Sequence, residues 1–386
     1  MVSTYNQLCP VLFGTEALEQ LGEKVKEFGG ETVLCIYDKG VEQAGIADRA
    51  IKNIEASGAN VITYDGVLPD APKDVIHEAG KLAADNNVNV IVGIGGGSSL
   101  DTAKAASILA ENPMPISQYY PANGGAFKSE RCKLILVPTA SGTGSEVTIM
   151  SVIHDEDTDA KEFVLRPADL AIVDPQLTVT APPSVTAATG LDAMSHAIES
   201  YTTNCGNPKA EVLSLHAMKL IAENLEKAYK DGNDIDARTN LSFASNLAGM
   251  AFSDASVHFG HAAAHEMGIK FNMPHGVACA ITLPEVITFS AGIIPEKTIK
   301  MAEALGVTVP EGASGEEAGE LAAAKVRELM KKVGIKSLEE QGISKEEALA
   351  CAEGAVTKNW FVICALKEIT VDVMSDLIAK MYDNYK

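Results

Sequence analysis

Histidines crowd one short segment of this chain. Within residues 257–276 lie four of its eight histidines: His258, His261, His265 and His275. A helix turns about 100° per residue, so residues four apart share one face, and His261 and His265 would present two imidazoles side by side. Imidazole is a frequent ligand of iron and zinc. The segment therefore predicts a divalent transition-metal site.

A carboxylate and a fifth imidazole have the same spacing elsewhere. Asp192 and His196 are four residues apart, so one helix face would carry both side chains. His275 lies in the sequence Pro-His-Gly, which predicts a turn that does not continue a helix. Cys279 follows closely, but it is a weaker candidate ligand than the histidines. Spacing alone does not decide between His261 and His265 as a ligand.

Two polar loops are candidates for binding a nucleotide. Gly93–Ser99 (GIGGGSS) follows a predicted buried strand and opens a helix, where backbone N–H groups attract a pyrophosphate. Its sixth position is Ser98, so it is not the G-x-G-x-x-G fingerprint. Pro138–Glu146 (PTASGTGSE) offers four hydroxyls for phosphate and sugar oxygens. Asp38 ends another strand and could either accept hydrogen bonds from a ribose or cap a helix.

The elements around these residues predict two domains. Apolar, β-branched runs at 32–37, 61–64, 88–94 and 133–137 alternate with helical patterns at 41–58, 73–86 and 99–109. Such alternation is typical of a doubly wound, mostly parallel sheet. After Pro182-Pro183 the predicted elements are all helical: 184–203, 208–230, 236–255, 258–268, 314–333, 345–355 and 370–383. We therefore expect a dinucleotide-binding α/β domain over residues 1–182 and an all-α domain over 183–386.

Composition narrows the class of protein. With 31 basic and 52 acidic residues, the net charge is −21, which argues against binding nucleic acid or an anionic membrane surface. The first ten residues show no signal peptide, and no apolar stretch approaches the roughly 20 residues that span a bilayer. The seven cysteines form no C-x-x-C pair. We therefore expect reduced thiols and a cytoplasmic protein.

In their order and spacing, these motifs resemble the iron-containing (group III) alcohol dehydrogenases. The resemblance rests on Gly95–Ser98 with Asp101, Pro138–Glu146, Ala171–Pro175, Ala187–Gly190, Asp192-x-x-x-His196, His261-x-x-x-His265 and Pro274-His275-Gly276. It implies a dinucleotide-binding domain, a helical metal-binding domain and a cleft between them. The implied metal ligands are Asp192, His196, His261 and His275. His265 would instead be a catalytic residue near the nicotinamide and the substrate.

The resemblance also implies the cofactor contacts. Asp38 would contact the adenosine ribose and favour NAD over NADP. The other matching positions are Gly96, Gly97, Ser98, Thr139, Ala140, Thr143 and Lys161. Ala71 stands where an asparagine contact is frequent, and His258 stands where glycine is frequent. His258 is therefore either a substrate-pocket residue or a surface residue.

The implied reaction is hydride transfer between NAD and a small primary alcohol or diol, with Fe²⁺ as the metal. Zn²⁺, as in glycerol-dehydrogenase-like enzymes on the same scaffold, is the alternative. A dehydroquinate-synthase-like enzyme would need several cations near the metal, whereas the segment 257–276 contains only Lys270. A non-catalytic metal-binding protein is disfavoured because no motif is lost. We expect a homodimer or a larger homo-oligomer.

Overall fold

The computed structural model describes residues 4–5, 8–158 and 160–386. The chain forms two compact units. One is built on residues 8–140 and 144–180, and the other is built mainly on Ser141–Thr143 and Ala181–Lys386. The first unit contains the strands and the second is helical. This confirms the predicted fold class, an α/β unit followed by a helical unit.

The α/β unit is organised around a six-stranded sheet and a hairpin. Its strands are β1 (Val11–Phe13), β2 (Thr32–Tyr37), β3 (Asn60–Tyr64), β4 (Val90–Gly95), β5 (Lys133–Pro138), β6 (Met150–Asp155), β7 (Ala160–Leu165) and β8 (Leu170–Val173). The sheet has the order β1-β8-β5-β4-β2-β3, and all of its pairs are parallel. The strands β6 and β7 pair antiparallel as a separate hairpin.

Five helices accompany these strands: α1 (Leu21–Glu27), α2 (Lys39–Gln43), α3 (Ile46–Ala56), α4 (Lys73–Asp85) and α5 (Gly97–Leu109). The single helix predicted over residues 41–58 is wrong. Gly45 has a φ of 71°, a left-handed conformation that suits glycine and interrupts the helical hydrogen bonding. The chain therefore ends α2 at Gln43 and starts α3 at Ile46.

The register of the central strands brings the predicted nucleotide loops to one edge of the sheet. Tyr37 pairs with Ile94, and Gly95 pairs with Pro138. Because parallel strands end at the same edge, Asp38, the glycine loop and Thr139 lie side by side there. Beneath them, the fully buried Lys104 donates from Nζ to Ser145 Oγ (2.8 Å) and to the Met150 carbonyl (2.6 Å), which fixes the end of the hydroxyl loop.

The second unit consists of ten helices within the described residues: α6 (Pro183–Tyr201), α7 (Pro208–Lys230), α8 (Ile235–Ala255), α9 (Phe259–Phe271), α10 (His275–Ala291), α11 (Pro295–Ala304), α12 (Gly315–Lys332), α13 (Lys345–Leu349), α14 (Ala352–Thr357) and α15 (Val371–Asn384). A 3₁₀ segment, Trp360–Cys364, precedes α15. Among the described residues, no helix combines the length and apolarity needed to cross a membrane.

The turn predicted around His275 is wrong in one respect. Pro274 occupies the N-cap position and His275 is the first residue of α10. Proline fixes an extended approach to the helix and has no N–H to lose, so the Pro-His-Gly sequence begins a helix here. Cys279 consequently lies one helical turn after His275, on the same face.

Candidate metal centre

Four potential metal ligands converge in the helical unit. They are Asp192 on α6, His261 on α9, and His275 and Cys279 on α10, and their ligand atoms all lie within 4.8 Å of one another. The distance from His275 Nε2 to Asp192 Oδ1 is 3.5 Å, and that from His275 Nε2 to Cys279 Sγ is also 3.5 Å. Three separate helices therefore supply one compact set of nitrogen, oxygen and sulfur donors.

The polar atoms of this cluster suit a cation. Asp192 and His261 are only 3% and 4% exposed. Within the described part of the chain, Asp192 Oδ1 and His261 Nε2 are buried and have no hydrogen-bond partner. An unsatisfied buried polar group costs about 1–3 kcal/mol. A divalent metal ion bound by both atoms would offset that cost, so the residues present fit the metal that the resemblance implies.

His196 lies at the side of this cluster. Its Nε2 is 3.9 Å from Asp192 Oδ1. His196 is therefore near the cluster, but it is not one of the four residues whose ligand atoms lie within 4.8 Å of one another. Its ring stacks on Phe252 (4.2 Å between centroids) and on His261 (4.8 Å). Burial lowers the pKa of His196 to about 4. The ring is therefore neutral near pH 7, which is the form that binds metals.

His265 follows His261 by one turn of α9 and takes a different set of neighbours. Its ring centroid is 5.4 Å from that of His275 and 6.3 Å from that of His261. Its Nδ1 lies 3.0 Å from Asn359 Oδ1, while the Asn359 amide nitrogen faces two carbonyl oxygens at 3.4 Å. Because the Asn359 nitrogen donates to these carbonyls, the atom that faces His265 is the Asn359 oxygen, which is an acceptor. The hydrogen-bond network therefore assigns a proton to His265 Nδ1. In the neutral form of the ring, Nε2 then carries no proton.

Glu199 is a functional residue that the sequence motifs did not predict. This fully buried carboxylate accepts hydrogen bonds from the backbone N–H groups of His258 (2.7 Å) and His261 (3.0 Å), and its Oε1 lies 2.5 Å from His261 Nδ1. Burial acts to raise the pKa of Glu199, but His261, His258 and their hydrogen bonds outweigh it and hold the pKa at about 2. The ionised carboxylate binds Nδ1–H of His261 and so directs Nε2 into the cluster.

One signal in the sequence could have found Glu199. Asp192, His196 and Glu199 occupy positions i, i+4 and i+7 of α6, which share one helix face. A carboxylate one turn beyond two candidate ligands is well placed to bind a further histidine from a neighbouring helix. Spacing could not say which histidine that is.

His258 is not a surface residue. It is 1% exposed, its Nε2 lies 3.0 Å from Thr202 Oγ1, and its Nδ1 lies 3.4 Å from Glu199 Oε2. The surface alternative of the sequence analysis is therefore wrong. The ring is held between Glu199 of α6 and Thr202, the C-cap of that helix, and it packs beside the carboxylate that positions His261.

Asp38 serves as a helix cap in this structure. Its Oδ1 accepts hydrogen bonds from the N–H groups of Gly40 (2.8 Å) and Val41 (3.0 Å), and its Oδ2 accepts one from Ser99 Oγ (3.1 Å). The N-cap role weighed in the sequence analysis is thus present. A contact from Asp38 to a ribose stays a prediction, and the cap places the carboxylate beside the glycine loop.

The other predicted cofactor residues of the α/β unit also lie near that loop. Gly96 is the N-cap of α5 and Gly97 is its first residue. Ser98 Oγ accepts a hydrogen bond from the N–H of Asp70 (3.1 Å), and Lys161 Nζ donates to Asp70 Oδ1 (3.0 Å). The N–H of Thr139 donates to the Gly95 carbonyl (3.0 Å), and Ala140 follows it. Thr143 belongs to the helical unit.

Comparison with known proteins gives this arrangement a family context. The family model described as "Iron-containing alcohol dehydrogenase" matches residues 10–175, and "Fe-containing alcohol dehydrogenase family, C-terminal" matches residues 186–382. The chain is 34% identical to the 1,3-propanediol dehydrogenase of Citrobacter freundii, over 89% of this chain and 90% of that protein. It is 33% identical to the NAD-dependent methanol dehydrogenase of Bacillus methanolicus, over 89% and 91%.

The fold is also similar to that of a solved alcohol dehydrogenase. The alcohol dehydrogenase from Oenococcus oeni superposes with a TM-score of 0.92 at 31% sequence identity, covering 98% of this chain and all (100%) of that one. The similarity therefore extends over both units, the one with the parallel sheet and the one with the clustered histidines.

Gly276 tests whether the approach of α10 to α6 sets the cluster. A Cβ at Gly276 would lie 2.1 Å from the Ala188 carbonyl oxygen, so Gly276→Ala must displace the start of α10, which carries His275. We expect metal affinity to fall at least about tenfold, measured by competition with a chelator. Gly268→Ala is the matched control, because its nearest neighbour would be at 3.6 Å. Equal affinities of the two variants would contradict the role of this contact.

Proposed function

Because the chain belongs to the iron-containing alcohol dehydrogenase family, we propose that it interconverts a small primary alcohol or diol and its aldehyde with NAD as the hydride carrier and Fe²⁺ as the metal. That the chain is an oxidoreductase of the alcohol dehydrogenase type follows from the family. The observation that carries the rest of the proposal is the convergence of Asp192, His261 and His275. Two atoms of this cluster, Asp192 Oδ1 and His261 Nε2, are buried and lack hydrogen-bond partners within the described residues.

Asp192, His196, His261 and His275 are the proposed ligands of the metal. Each offers an atom of a type that ferrous iron accepts, and the set consists of one carboxylate and three imidazoles. Glu199 supports the set by fixing the orientation of His261 through a 2.5 Å contact. A bound divalent cation supplies Lewis acidity, which lowers the pKa of an alcohol or polarises an aldehyde carbonyl.

His265 is proposed to move the proton. In alcohol oxidation, Nε2 of His265 would accept the hydroxyl proton. A bound NAD would supply the acceptor for the hydride from the carbon that bears the hydroxyl, so that the balanced products are aldehyde, NADH and one proton. Asn359 keeps the second proton of the ring on Nδ1 throughout. An imidazole ring can both accept and release a proton, which suits His265 to this role.

The glycine-loop edge of the α/β unit is the proposed NAD site. Gly96, Gly97 and Ser98 stand at the N-terminus of α5, where backbone N–H groups favour a pyrophosphate. The carboxylate of Asp38 accepts hydrogen bonds from a ribose and repels a 2′-phosphate. The remaining proposed contacts are Thr139, Ala140, Thr143 and Lys161. The name of the methanol dehydrogenase relative supports NAD as the cofactor.

Two further expectations belong to the proposal. The seven cysteines form no disulfide, which supports a reducing, cytoplasmic location. We also propose that the enzyme works as a homodimer or a larger homo-oligomer. A substrate range of small primary alcohols and diols is supported by the names of the methanol and propanediol dehydrogenase relatives.

The activity is tested on protein purified without oxygen and loaded with Fe²⁺. We expect NAD-dependent oxidation of short primary alcohols or of 1,3-diols, loss of turnover after chelation, and recovery when Fe²⁺ is restored, because the metal polarises the reacting oxygen. NADH formation is followed by absorbance. If chelated, metal-free protein oxidised the same alcohols at an unchanged rate, the metal role would be refuted.

The division of labour between His261 and His265 is tested by two alanine variants. His261→Ala removes a proposed ligand and should lower both metal content and turnover. His265→Ala should keep the metal and lose turnover by about 10²–10⁴-fold, since the loss of a general acid–base has that size. Metal content is measured on the purified variants. If both variants lost metal equally, His265 would be needed for metal binding, and a role limited to proton transfer would be refuted.

The role of Asp38 is tested by the ratio of kcat/KM for NADP to that for NAD. Asp38→Asn keeps a side-chain oxygen for the helix cap and removes the charge, whereas Asp38→Gly removes both. We expect both variants to raise the ratio about tenfold or more, because a nearby like charge costs on the order of 1–4 kcal/mol. An unchanged ratio in both variants would mean that Asp38 is only a helix cap.

A further inference from the structure

The sulfur of Cys279 belongs to the metal cluster by position. Cys279 is fully buried on α10, one turn after His275, and its Sγ lies 3.5 Å from His275 Nε2. It also lies within 4.8 Å of the ligand atoms of Asp192 and His261. Two atoms bound to one ion at about 2.0–2.3 Å can be up to about 4.6 Å apart. The sulfur is therefore close enough to share an ion with the other three ligand atoms after small side-chain adjustments.

The residues around Cys279 also favour a shared ion. Asp192 Oδ1 and His261 Nε2, two of the buried atoms without hydrogen-bond partners in the described part of the chain, belong to the same cluster. The other three cysteines of the helical unit, Cys205, Cys351 and Cys364, do not belong to the described cluster. Only Cys279 thus combines burial with a carboxylate and two imidazoles as neighbours among the residues described.

We propose that Cys279 binds the metal as a thiolate, in addition to Asp192 and the histidines. This rests on the proposed function, which places the metal at the same residues. On metal binding the Sγ–H bond breaks, the proton passes to solvent, and the sulfur electron pair forms the bond to the ion, with no change of oxidation state. An ion that accepts about six ligands then retains a position for the substrate oxygen.

A sulfur ligand has consequences for metal choice. Thiolates bind Zn²⁺ and Co²⁺ more strongly than they bind Mn²⁺, which prefers oxygen ligands. A thiolate also transfers more charge to the metal than an imidazole does, so it moderates the Lewis acidity that acts on the alcohol. Cys279 would therefore set both the metal preference and the reactivity of this particular centre.

The proposal is tested by loading the full-length protein with Co²⁺ and recording its absorption spectrum. A thiolate ligand produces an intense near-ultraviolet sulfur-to-cobalt charge-transfer band, which oxygen and nitrogen ligands do not give. We expect that band in the unmodified protein and in Cys351→Ser, a variant at another buried cysteine of the same unit. We expect Cys279→Ser to lose the band while it keeps the weaker visible bands of bound cobalt.

The possible outcomes separate this inference from the proposed function. Visible cobalt bands without the charge-transfer band in the unmodified protein would overturn the thiolate ligand and leave the metal centre intact. A charge-transfer band that persists in Cys279→Ser would assign the sulfur to another cysteine and overturn the proposal. Failure of the unmodified protein to bind cobalt, zinc or iron would overturn the metal centre and the thiolate with it.

Metal affinity gives a second measurement that does not depend on turnover. We expect Cys279→Ala to weaken Zn²⁺ binding at least about tenfold and to change Mn²⁺ binding little, as measured by competition with a chelator. A cysteine that only packs between α10 and its neighbours would affect both ions equally. A parallel loss for Zn²⁺ and Mn²⁺ would therefore count against the thiolate ligand.

Discussion

The buried carboxylate of Glu199 is the interaction on which the candidate centre depends. It accepts two backbone hydrogen bonds at the start of α9 and contacts the ring of His261 at 2.5 Å. A buried charge costs free energy unless it is paired and hydrogen-bonded. Moving either backbone N–H group or the His261 ring away from Glu199 would therefore destabilise the folded protein. Glu199 therefore fixes the position of α9 against α6 and also decides which nitrogen of His261 faces Asp192.

The second constraint is the close approach of α10 to α6. Gly276 stands where a side chain would meet the Ala188 carbonyl oxygen, so only glycine lets the first turn of α10 come this near. The same turn carries His275 and is followed by Cys279. The three helices α6, α9 and α10 thus supply the ligand atoms from rigid elements, which holds them to a narrower range of positions than loops would.

In the α/β unit, the register of the strands brings the candidate residues together. Parallel strands end at one edge of the sheet, and the register of β2, β4 and β5 brings Asp38, the glycine loop and Thr139 together there. The polar groups at this edge are already engaged with one another: Asp38 with Ser99, Ser98 with the backbone of Asp70, and Lys161 with Asp70. A nucleotide that binds at this edge would meet groups whose positions are fixed by these hydrogen bonds.

The sequence by itself determined the fold class and the family, and the family matches over both units confirm that prediction. Buried parallel strands are continuous apolar runs and helix faces repeat every three to four residues, so both patterns are local and can be recognised in the chain. Only the tertiary structure showed that His275 begins a helix, that Cys279 joins the cluster, and that Glu199 binds His261. Spacing fixes which residues share a face of one element, but it carries no information about which faces meet.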